Sequence, residues 1–64
     1  MTTASSNEES VAVVDGPNGT AEIFEVWSKG RLQEYKVKFG DQTESFTNIG
    51  EAYIEAGKKS GKPT

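Results

Sequence analysis

Alternation of apolar and polar positions is clearest from Arg31 to Phe39, where Tyr35, Val37 and Phe39 interleave with Glu34, Lys36 and Lys38. A period of two is the mark of a strand with one buried face. Ala21 to Trp27 repeats the pattern less cleanly, with Phe24 and Val26 on one side and Ile23, Glu25 and Trp27 on the other. Thr43 to Phe46 is a shorter strand, and Val11 to Val14 is a β-prone run that fits either an edge strand or a loosely attached arm. Turn chemistry separates them: Asp15 to Gly19, then Lys29-Gly30, then Gly40-Asp41 with glycine first, as a type II′ hairpin prefers.

The period changes after Phe46. Asn48 has the side chain of a helix N-cap, and Ile49, Ala52, Tyr53 and Ala56 follow at helical spacing as one apolar stripe. Lys58 and Lys59 fall in the last turn, where the helix dipole favours cations. Gly61 fits the left-handed position after the helix, and Pro63 prevents continuation. Gly50 and Gly57 lower the intrinsic helicity by about 1 kcal/mol each relative to alanine, so this helix needs the sheet. The predicted fold is α+β: a small antiparallel meander of three strands, or of four where residues 11–14 pair with the sheet, and one C-terminal helix packed on one face. Residues 1–10 have no apolar period and read as a disordered tail, leaving 11–64 as a single domain.

Register decides which side chains stay free. With Lys29-Gly30 as a two-residue loop and regular pairing beyond it, Trp27 faces Leu32, Glu25 faces Glu34, Phe24 faces Tyr35 and Ile23 faces Lys36. The helix is then expected over Phe24, Val26, Tyr35, Val37 and Phe39. The opposite face carries Ile23, Glu25, Trp27, Leu32, Glu34, Lys36 and Lys38. One helix cannot cover both sides of a sheet, so Trp27 and Leu32 are expected as partly exposed neighbours and as the centre of a contact surface.

Composition narrows the chemistry. The 64 residues contain no cysteine and no histidine. Disulfides and thiolate metal sites are thereby excluded, and the commonest general base and metal ligand are missing. No carboxylates cluster at a metal-loop spacing and no serine has a nucleophile-activating partner, so neither a metal nor catalysis is expected. A core this thin does not enclose a small-molecule substrate or a cofactor. No apolar run approaches the roughly 20 residues of a membrane span. The N-terminal stretch lacks a basic start and an apolar segment, so a cytoplasmic location is the expectation. The net charge of −3 belongs to the first 21 residues, through Glu8, Glu9 and Asp15. From Glu22 onward seven acidic residues balance seven basic ones.

Lys29-Gly30, the strand Tyr35-Lys36-Val37-Lys38-Phe39-Gly40, Ser45-Phe46, Glu51-Ala52 and Ala56-Gly57-Lys58-Lys59 with Gly61-Lys62-Pro63 follow one another in an order that resembles AP2-type and integrase arm-type DNA-binding domains. The resemblance spans roughly residues 21–63. It implies a three-stranded sheet on one helix, with the sheet entering the major groove. Trp27, Arg31, Lys36 and Lys38 would then lie on or beside the DNA-facing surface, and Lys58, Lys59 and Lys62 would contact phosphates. Glu25 and Glu34 on the same face oppose the counterion release that drives such binding. The leading expectation is therefore a non-catalytic protein that binds another protein, or itself, through the face of Trp27 and Leu32. DNA binding by that face, with Arg31, Lys58, Lys59 and Lys62 on phosphates, is the alternative.

Overall fold

A computed structural model of the chain describes residues 6–62. It contains four strands, β1 (Ser6–Gly16), β2 (Gly19–Ser28), β3 (Arg31–Phe39) and β4 (Gln42–Phe46), followed by one helix, α1 (Ile49–Ser60). The strands form one antiparallel sheet in the order β1-β2-β3-β4, a plain meander, with α1 packed against it. The fold class is the α+β meander with a C-terminal helix that the alternation predicts, and the fourth strand is present.

β1 is much longer than the Val11–Val14 run. It begins at Ser6 and pairs with β2 along its full length, so residues 6–10 are part of the sheet and not of a tail. Residues 1–5 of the expected tail lie outside the described residues. The apolar pattern missed this half because its residues (Glu8, Glu9, Ser10) are held by backbone pairing beside β2, not by burial.

The loops follow local chemistry. Lys29 and Gly30 both have positive φ, 54° and 75°, which is the type I′ arrangement that joins two strands with the right twist. Gly40 alone is positive in its turn, φ 60°, as type II′ requires. Asn48 caps α1 by accepting hydrogen bonds from the backbone N–H groups of Gly50 (2.7 Å) and Glu51 (3.3 Å). Gly61 ends it in the left-handed conformation, φ 78°.

Two irregularities set the register. Val11 is an extra residue in β1, and Gln33 is an extra residue in β3 between the Trp27–Leu32 and Val26–Glu34 pairs. Beyond the second bulge Glu25 faces Tyr35, Phe24 faces Lys36 and Ile23 faces Val37. One inserted residue shifts pairing by one, and with a period of two that moves every β2 side chain to the other face relative to β3. The expected pairs Glu25–Glu34, Phe24–Tyr35 and Ile23–Lys36 are therefore corrected. Ile23 is a core residue, fully buried, and Phe24 and Val26 lie on the face away from the helix.

The core under α1 consists of Val14, Ala21, Ile23, Val37, Ala52 and Ala56, with Ala12, Tyr35, Phe39 and Phe46 packed at its edge. The helix lies on the sheet through Ala52, Ala56 and Ser60, not through Ile49 and Tyr53. Small side chains on the inner face let the helix come close, and its C-terminal end is tied to the β1–β2 turn by the Asn18 N–H donating to the Ser60 carbonyl at 2.7 Å. On the other flank, Lys59 reaches β4, bonding Gln42 (2.9 Å) and pairing with Glu44 (3.3 Å). These two attachments fix the rotation of α1 and leave Ile54 on the side away from the sheet, 61% exposed.

Candidate functional site

The sheet has two different surfaces beyond its core. The pleat places Glu25 and Trp27 on the side of the helix, in line with Ile23. The Trp27 indole N–H donates to the Glu25 carboxylate at 3.0 Å, a contact between i and i+2 on one face. Trp27 pairs with Asn7 on one side and Leu32 on the other, at the end of the β2–β3 hairpin. Neither Trp27 nor Leu32 belongs to the core cluster or packs against it, and Leu32 is 39% exposed. The Trp27–Leu32 neighbour pair expected from the sequence is thus present as a distal patch beyond the core, with Trp27 half-buried and Leu32 exposed.

The surroundings of that patch differ from the expectation. Glu9 of β1 stands directly opposite Glu25, and the next residue across is Tyr35. Like charges opposed across a strand pair are mildly destabilising. Among the described residues neither Glu9 nor Glu25 has a cation within ion-pair distance. Glu34, Lys36 and Lys38 project from the opposite face, together with Phe24 and Val26, so the seven predicted contact residues do not form one surface. Ile23 is buried, Glu25, Trp27 and Leu32 share the helix side, and Glu34, Lys36 and Lys38 share the other.

That second surface is a closed polar lattice. Glu8 bridges Lys36 (3.0 Å) and Lys38 (3.3 Å), and the Lys38 ammonium sits 4.7 Å from the centroid of Phe24. Ser10 donates to Glu22 at 2.5 Å, Thr20 to Asp15 at 2.6 Å and Ser45 to Glu34 at 3.4 Å. Hydrogen bonds from Lys36 and then from Lys38 hold the Glu8 carboxyl below its ordinary value. A carboxyl whose folded value is depressed adds stability above its unfolded value, and that stability disappears as the pH falls through the folded one. Glu8→Gln is therefore expected to flatten part of the acid limb of the stability curve, by a small amount because the pair is solvent-accessible. Urea midpoints of both proteins from neutral to acid pH check this. Parallel pH curves would show that Glu8 carries no such linkage.

The basic residues proposed for phosphate contact are dispersed. Arg31 is at the β2–β3 end of the sheet, whereas Lys58, Lys59 and Lys62 lie at the C-terminal end of α1, beside the β1–β2 turn. Lys59 is engaged with Gln42, Glu44 and Glu55.

Among the described residues no group of three or more metal-ligating side chains comes together, and there is no ligand-sized pocket. No described helix is long and apolar enough to cross a membrane. Sequence reasoning misses Glu9, because the stretch around it has no apolar period, and misses the placement of Phe24 and Val26 on the face away from the helix, because no residue type marks the bulge at Gln33. The fold and the distal patch define a small α+β meander. No family model, curated protein or solved structure matches the chain at a significant level.

Proposed function

We propose that the chain is a small non-catalytic binding protein that engages another protein through the distal patch of Trp27 and Leu32. The observation that carries this is that the chain's single tryptophan lies outside the core while the core is filled by alanine, valine and isoleucine. A large aromatic beside an exposed leucine is the composition of an interface hot spot. The hydrogen bond from its indole to Glu25 orients the ring. Glu9 and Glu25 beside it suit a partner segment that brings an apolar side chain to Trp27 and a cation to the carboxylates. Such a cation would also relieve the repulsion between the opposed glutamates.

DNA binding by the same sheet has less support. Trp27 and the strand lysines are on opposite faces, and Glu8 bridges Lys36 and Lys38, offsetting one of their two charges. The discriminating experiment compares immobilised wild-type chain with Trp27→Ala in extracts of the cells that make it. A protein retained by the wild type and lost by Trp27→Ala is the expected result. Equal retention by both would refute the reading.

A further inference from the structure

We propose that the outer face of α1 is a homodimer interface, pairing antiparallel with the same face of a second copy of this chain.

The helix carries a large apolar residue, Ile54, on the face opposite its buried stripe. Its buried residues are Ala52, Ala56 and Ser60, while Ile49, Tyr53 and Ile54 are exposed, Ile54 at 61%. A surface helix normally turns its large apolar residues to the core. Here the tethers at Ser60 and Lys59 hold Ile54 outward. Among the described residues the core has only Ile23 and Val37 as large, fully buried apolar side chains. A chain of this size without disulfide or metal commonly gains the missing burial by oligomerising.

The charge pattern says which partner. At 100° per residue, Glu51, Ile54 and Lys58 lie within about 60° of one another around the helix, and Gly50 and Gly57 flank Ile54 on the other side. A two-fold axis at Ile54 places Ile54 against its own copy. It sets Glu51 against Lys58 of the second chain, twice. It sets Gly50 against Gly57, also twice. Such self-complementarity is what a two-fold interface requires. Glu51 and Lys58 are exposed, and among the described residues neither forms an ion pair within the chain.

The glycines add a second line of support. Gly50 has a reason within the fold, since a Cβ there would sit 3.0 Å from the capping oxygen of Asn48. Gly57 has none: a Cβ there would meet nothing within 4 Å. A mid-helix glycine costs about 1 kcal/mol relative to alanine. Close approach of another helix is the use that this position then serves. The contact is separate from the Trp27 surface and leaves it open.

Sedimentation equilibrium of the full chain, from micromolar to millimolar concentration, tests the proposal. The wild type is expected to dimerise and Ile54→Glu to stay monomeric. Glu51→Lys and Lys58→Glu are each expected to weaken the dimer at least about tenfold by replacing attraction with repulsion, and the double reversal is expected to restore it. The reversal series decides whether or not Ile54→Glu folds. If the two charges serve only the helix dipole, both reversals oppose it and the double variant is the weakest of the three. That outcome would overturn the proposal, as would a monomeric wild type or association of a folded Ile54→Glu equal to the wild type. Trp27→Ala is expected to dimerise normally. Its dissociation would move self-association to the distal patch and likewise overturn the proposal.

Discussion

Gly16→Ala is expected to destabilise the protein by about 3 kcal/mol or more, the scale of forced overpacking against rigid neighbours. The reason is space. A Cβ on Gly16 would collide with the Ser60 carbonyl oxygen and lie 2.8 Å from both the Ser60 carbonyl carbon and the Lys62 nitrogen. All three are backbone atoms at the end of α1, so no side chain can swing aside. The helix end must lift, and the hydrogen bond from Asn18 to Ser60 is lost with it. That bond is the tether that seats Ala52 and Ala56 on the sheet. Urea unfolding followed by circular dichroism measures the loss. A midpoint equal to the wild type would show that α1 does not approach β1 as closely as described.

Ile23→Ala is the second large effect, at about 2–5 kcal/mol, the range for truncating a buried isoleucine. Ile23 is fully buried, faces Ala12 and Val37 across its two neighbouring strands, and is the largest fully buried side chain among the described residues. In a chain this small the loss is comparable with the whole stability. The variant is therefore expected to be largely unfolded at room temperature, with collapsed amide dispersion in its NMR spectrum. A folded Ile23→Ala would restore the regular register, in which Ile23 is a surface residue.

These two positions show how far the sequence could be read. Alternation in β3, the glycine turns, Asn48 and Gly61 each carry their physical cause locally, and each gave the right element. Gly16 is legible as a turn glycine, but its larger role, clearance for the end of α1, depends on residues forty-four and forty-six positions later. The faces of β2 were lost to a single extra residue. Gln33 has no turn-forming or flexible character, so nothing local marks the bulge, yet it exchanges Ile23 and Phe24 between core and surface. The helix was misrotated for a related reason. Spacing favours Ile49, Ala52, Tyr53 and Ala56 as the buried stripe, whereas the attachments at Ser60 and Lys59 select Ala52, Ala56 and Ser60. Trp27 and Leu32 survived because their pairing lies on the turn side of the bulge, where the two-residue loop alone sets the register.

The central claim is that Trp27, half-buried beyond the core, serves a partner and contributes little to folding. Urea unfolding of Trp27→Ala beside the wild type, at matched concentration, tests it most directly. The expected result is a cooperative transition displaced by no more than about 1 kcal/mol, as for substitutions away from the core. A displacement of about 3–5 kcal/mol, the cost of removing a core tryptophan, or loss of cooperativity would contradict it.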